Sequence, residues 1–238
     1  MARYDKLIEF PPVSSATEDG LVMVGGVLEP ESVLKAYSHG IFPWPIVDRG
    51  YELLAWFSPD PRAIIEFEEL YVSRRLARRI RSGRFQVSCD RDFEGVIRQC
   101  AAPREPGGDT WITPGMIRAY WQLHEQGHAH SIEVWHDHAL VGGLYGVGIG
   151  AFFAGESMFH RQRDASKIAL AHLVAHLSGR GFQLFDVQQA TAHAVSMGAR
   201  EIPRNDFITR LQGAISSSVT FGEQLDTSCL AQVLERST

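Results

Sequence analysis

From Ser131 to Val187 the chain reads as three short β-prone runs, a helix and one more β-prone run, and this order constrains the fold more than any other feature. The runs Ser131–Trp135, Leu140–Val147 and Ala151–Gly155 are broken by His136-Asp137-His138 and by Gly148-Ile149-Gly150. Such turn-forming breaks predict an antiparallel meander. A helix is expected over Ala165–Ser178, with Asp164 as its cap and Gly179 or Gly181 as its stop, and a strand over Phe182–Val187. A strand, a helix and a strand within one sheet need a crossover connection, so the sheet is mixed and the class is α+β or mixed α/β.

Upstream, PPVSSATEDG, VGG, HGIFPWP and FSPDP interrupt every apolar stretch, which predicts a small irregular N-terminal domain over residues 1–60 and a second domain over 61–238. Ser58–Arg62 is the expected linker. Pro30 and Gly40 bracket a short helix over Glu31–Ser38. Beyond the linker, Ser73 is placed to cap an Arg-rich helix, a strand is expected over Arg84–Ser88, and Asp90 is placed to cap a helix over Arg91–Ala101. After the loop PREPGGD, Thr113-Pro114 begins a helix that Gly127 ends.

With 45% hydrophobic residues, a chain of 238 residues can bury a large core. No apolar run approaches the ~18 residues of a membrane span, and MARYDKLIEF lacks the pattern of a secretory signal, so the cytoplasm is the expected compartment. Cys89, Cys100 and Cys229 fit neither a disulfide framework nor a CxxC site and read as reduced thiols. The net charge of -5 argues against indiscriminate coating of nucleic acid. Yet Arg74, Arg75, Arg78, Arg79, Arg81 and Arg84 fall in one segment without an acid. That helix is either a solvated face or a surface for a phosphate backbone, which relieves like-charge repulsion.

Candidate chemistry lies at Glu156, just after the third run, and at Asp186 and Gln188, where the last strand ends. Ligands gather beyond carboxyl strand ends, and alternation points Asp186 and Gln188 to one side. The alternative is that Asp186 caps the next helix, that Gln188 is merely solvated and that Glu156 is an ordinary loop acid. The pairs His128/His130, His136/His138 and His172/His176 form neither HExxH nor a Cys/His framework, so no metal or cofactor is expected.

The order hairpin, strand, helix, strand matches the core of the acetyltransferase-like (GNAT-type) fold. Eight phrases then narrow the reading: GIFPW (40–44), SPDPRA (58–63), TWIT (110–113), GHAHSIEVW (127–135), LVGGLYGV (140–147), FFAGESMF (152–159), DASKIAL (164–170) and EIPR (201–204). In type and order they resemble the leucyl/phenylalanyl-tRNA–protein transferases over most of the chain, although VGGVLEP lacks the acid expected directly after its glycines. The resemblance implies a small N-terminal domain joined to an acetyltransferase-like domain. It also implies transfer of Leu or Phe from aminoacyl-tRNA to proteins beginning with Arg or Lys, producing an N-terminal degradation signal.

By that resemblance Glu156, Asp186 and Gln188 match residues assigned to catalysis, and Trp44 and Trp111 match tryptophans at the aminoacyl-tRNA end. Each tryptophan is a stacking platform or a lid on the core. Leu144 and Met158, with Leu173 and Phe185, are candidates for an apolar donor pocket or for plain core. A tRNA acceptor stem is the expected partner of the Arg helix. An acetyl-CoA enzyme is a rival, but FHRQRDASK lacks the glycines that cradle pyrophosphate. A non-catalytic RNA-binding module is a second rival, separated from a transferase by the acidic phrases.

Overall fold

The computed structural model describes residues 8–48, 51–103 and 110–235. Near the N-terminus β1 (Leu21–Val24) and β2 (Phe42–Pro43) flank β5 (Ala55–Phe57), while β3 (Ile46–Asp48) pairs with β4 (Tyr51–Leu53). The helix α1 (Pro30–Ser38) lies between β1 and β2 in sequence. The large sheet has seven strands: β6 (Arg62–Ile65), β7 (Gln86–Cys89), β8 (Ala129–His136), β9 (Ala139–Ile149), β10 (Phe152–His160), β11 (Leu184–Gln188) and β12 (Arg200–Ile202). Their order is β12-β6-β11-β10-β9-β8-β7, with only β10 and β11 parallel. The remaining helices are α2 (Arg74–Arg81), α3 (Phe93–Ala101), α4 (Pro114–Glu125), α5 (Ala165–Arg180), α6 (Ala192–Val195), α7 (Arg204–Ile215) and α8 (Leu230–Glu235).

Alternation along the strands divides the interior into two cores. Ile65, Leu144, Phe153 and Phe185 join α5, α2 and α8 in one of them. Their neighbours Ile64, Tyr145, Phe152 and Leu184 join α1, α3, α4, α7 and the small sheet in the other. Helix α5 is largely apolar and almost wholly buried between Ala165 and Leu177, as expected of a central crossover helix. Gly142 permits its close approach to β9, because a Cβ there would lie 2.5 Å from that of Ala165.

The meander over β8–β10 and the crossover through α5 match the sequence reading, as do the caps Ser73 and Thr113, which accept from Leu76 N and Met116 N. Several details differ. Asp92, not Asp90, caps α3, because Asp90 takes a φ of 53° and accepts from Ser131 N instead. Asp164 makes no side-chain cap on α5, since its carboxylate turns to Arg79. The third strand runs on to His160, held against β9, and therefore contains Glu156. The loop residues 104–109 and the first seven residues fall outside the described ones.

Candidate active site

The strands β10 and β11 pair over only Phe152–Ala154 and Leu184–Asp186. Past that point β10 continues against β9, so the two parallel strands leave a fork. Glu156 and Gln188 each stand two residues beyond the last paired position. Register shifts between Gly155 and Ser157, and between Asp186 and Gln188, accompany the fork. The first shift throws Glu156 toward α1 and α4 but Met158 toward the α5 core. Gln188 has a φ of 61°, so it reaches Glu156 by a local kink rather than by plain strand alternation.

Asp186 is fully buried and is held bidentately by Arg62, with Nε 2.9 Å from Oδ1 and a terminal nitrogen 2.6 Å from Oδ2. Arg62 is itself buried between the rings of Phe42 and Phe207, at 4.8 and 4.5 Å, and donates to the Gly40 carbonyl at 3.1 Å. Asp186 Oδ1 also accepts from the backbone N–H of Gln188 at 2.9 Å. Thr191 caps the next helix, which removes the alternative that Asp186 does so. Asp186 therefore fixes the strand end that carries Gln188 and does not contact its side-chain amide.

Glu156 receives hydrogen bonds at both oxygens: Tyr37 (2.5 Å) and Gln188 Nε2 (3.1 Å) at Oε1, Tyr120 (3.0 Å) at Oε2. The two phenol oxygens are 2.9 Å apart. Burial pushes the Glu156 carboxyl up to about 7, with the Asp186 charge adding to the rise and the three donors opposing it. The residue is nonetheless only half-buried, so solvent and a substrate can approach it.

The other sequence candidates stand in different surroundings. Trp44 and Trp111 stack on one another, with centroids 4.7 Å apart and planes within 14°, and both stay partly exposed. Leu144 and Met158 are register partners, and with Leu173 and Phe185 they belong to the core on the α5 side. Arg74, Arg75, Arg78, Arg81 and Arg84 are exposed. Arg79 is not, because it pairs with Asp164 at 2.7 Å, which corrects the expectation of a cationic helix without an acidic partner. Arg81 reaches the Leu234 carbonyl at 3.3 Å and Arg84 the His136 ring at 2.8 Å. Among the described residues no cluster of three metal-ligating side chains occurs, and none of their helices is long and apolar enough to cross a membrane.

Residues 64–212 match the model of the leucyl/phenylalanyl-tRNA protein transferase, and residues 26–60 match that of its N-terminal domain. The chain belongs to this family. It is 52% identical over 205 residues to the leucyl/phenylalanyl-tRNA–protein transferase of Aromatoleum aromaticum, covering 85% of each chain. The enzyme of that name from Syntrophotalea carbinolica is 49% identical over 211 residues, 88% of this chain and 90% of the relative. A remote similarity to the structure of L-PGS from Bacillus licheniformis has a TM-score of 0.40 at 11% identity, over 69% of this chain and 52% of that one.

The candidate site contains three residues that sequence reasoning did not single out. Arg62 lies in the phrase SPDPRA, yet only its position at the head of a buried apolar strand, before Ala63-Ile64-Ile65, hinted that its side chain would be inside. Tyr37 and Tyr120 stand on separate helices, 83 residues apart, and read locally as aromatic packing. Nothing in either helix marks a hydroxyl directed at Glu156.

Proposed function

We propose that this transferase moves a leucyl or phenylalanyl group from aminoacyl-tRNA to the α-amine of an acceptor protein that begins with Arg or Lys, creating an N-terminal degradation signal in the cytoplasm. The observation that carries the proposal is the meeting of Glu156, Gln188 and the Asp186–Arg62 pair at the fork of β10 and β11. An amide, a half-buried carboxyl and a rigid strand end suit an acyl transfer governed by positioning and electrostatics. Gln188 has its amide nitrogen on Glu156, which leaves its carbonyl oxygen to accept from the incoming amine.

Leu144, Met158, Leu173 and Phe185 on the α5 side are the proposed walls for the donor side chain, with Met158 supplying the adaptability that both Leu and Phe need. The outward faces of the Trp44–Trp111 stack are proposed for the terminal adenosine, and the exposed arginines of α2 for the acceptor stem. Residues 1–60 then serve as a small domain that completes the site, Tyr37 and Trp44 included.

The test supplies labelled Leu, Phe and Val on one tRNA body, and acetyl-CoA separately, to a peptide beginning with Arg. Transfer of Leu and Phe, with Val weaker because Cβ branching crowds the slot, is the expected result. Acetylation without leucylation would reverse the proposal.

A further inference from the structure

The contacts around Glu156 contain a mismatch between oxygens and protons. Oε1, the Tyr37 hydroxyl, the Tyr120 hydroxyl and Oε2 form a closed circuit with three oxygen–oxygen contacts of 2.5, 2.9 and 3.0 Å. When Glu156 is a carboxylate the circuit holds two protons, one per phenol, so one contact sets lone pair against lone pair. Both phenols keep those protons, because burial and the Glu156 charge hold their ionisation well above the ordinary tyrosine value. One added proton gives each contact a donor: Glu156 to Tyr120, Tyr120 to Tyr37, Tyr37 back to Glu156. The short Tyr37–Glu156 contact is in the range of a charge-assisted O–H to oxygen bond.

We propose that Tyr37, Tyr120 and Glu156 form a ring built to accept one proton, and that Glu156 takes it from the α-ammonium of the acceptor. This rests on the aminoacyl-transfer reading above. The ammonium gives one proton to the Glu156 carboxylate, and its freed lone pair forms the C–N bond to the ester carbonyl carbon. Collapse of the tetrahedral centre breaks the bond to the terminal ribose oxygen, which receives the second proton from nitrogen. The ring's proton passes to solvent after the products leave, matching the one proton released overall when an ammonium becomes an amide.

Other ionisable groups near the ring fit this assignment. Tyr145 of β9 meets Tyr120 edge-on at 5.5 Å, and Cys100 of α3 lies near Tyr145. Asp186 of β11 has both its oxygens held by Arg62 of β6, and Gln188 is a donor to Glu156. The Glu156 carboxyl at about 7 is close in affinity to an α-ammonium, whose ordinary value is ~8, so the transfer is nearly level.

The deciding experiment compares two peptides with the same N-terminal Arg side chain. One has the ordinary α-amine, and the other has an aminooxy group that is neutral throughout the assay range and has no ammonium proton to lose. In single-turnover transfer, Glu156→Gln should lose about 100-fold or more with the amine and less than about 10-fold with the aminooxy peptide. Tyr37→Phe with Tyr120→Phe, which preserves ring volume, should show the same acceptor-dependent loss. In the wild type the rate with the amine should fall as pH drops through about 7, whereas the aminooxy rate should stay level. Equal losses with both peptides would overturn the ring and make Glu156 a contact for the Arg side chain. A wild type that modifies neither peptide would overturn the transfer reading itself.

Discussion

Asp186 and Arg62 form one buried pair that holds the strand end carrying Gln188. With both side chains almost inaccessible, removing one charge leaves the other buried and unpaired, which costs about 3–5 kcal/mol. Asp186→Asn should therefore lower both unfolding free energy and transfer rate. Chemical denaturation beside single-turnover kinetics checks this, and wild-type stability in the variant would contradict the pairing. Glu156 has the opposite link to folding. Its carboxyl rises from 4.5 to about 7 in the fold, so the folded state holds the proton more tightly. That contribution is present below about 4.5 and lost as pH rises through about 7. Against Glu156→Gln, the wild type should lose up to about 3 kcal/mol of relative stability between those values. Parallel stability curves would refute it. Asp186 and Gln188 were legible as candidates because they end a strand, and Glu156 because it follows one, with the family phrases singling out all three. Arg62 and the two tyrosines were not, since their roles depend on partners far away in the chain.

At the level of elements, α2 combines a buried face with an exposed cationic one. Leu76 and Ala77 pack inward while Arg74, Arg75 and Arg78 face solvent, and Arg79 holds the residue that opens α5. Neutralising Arg74, Arg75 and Arg78 should flatten the salt dependence of charged-tRNA binding by up to about 2–3 in logarithmic slope, at ~0.7–0.9 per phosphate contact. Filter binding across a salt series checks this, and an unchanged slope would return the helix to a solvated role. Arg79→Ala should instead act on stability. Most helices were legible because their ends carry local chemistry, as with Ser73, Thr113-Pro114 and Gly127. Helices α6, α7 and α8 were not read from the sequence, and one cap was misplaced for a local reason. Two aspartates flank Arg91, and only the positive φ at Asp90 decides which of them caps α3. The extent of β10 was hidden because a bulge at Gly155–Ser157 breaks the two-residue period on which a strand is recognised.

Over the whole molecule, the seven-stranded sheet separates two cores, and the fork between β10 and β11 opens beside Glu156 and Gln188. The stretch after Gly213, featureless as sequence, closes one of these cores. Phe221 stacks on His130 at 4.1 Å, the backbone N–H of Asp226 donates to His176, and Val233 and Leu234 are buried. Those contacts were illegible because each lies opposite a residue more than thirty positions away. Deleting residues 218–238 should cost several kcal/mol, at about 1.5–3 kcal/mol per large buried side chain, and lower the melting temperature. An unchanged melting curve would contradict the packing. The central claim, that the fork performs aminoacyl transfer, is tested most directly by the mass of an Arg-initiated peptide after one turnover with leucyl-tRNA. The account predicts that the wild type adds one leucine at the N-terminus. Gln188→Ala should bind the charged tRNA normally yet transfer about 100-fold more slowly, as expected for an interaction made at the reacting centre. An unmodified peptide in the presence of wild type and intact donor, or full transfer by Gln188→Ala, would contradict it.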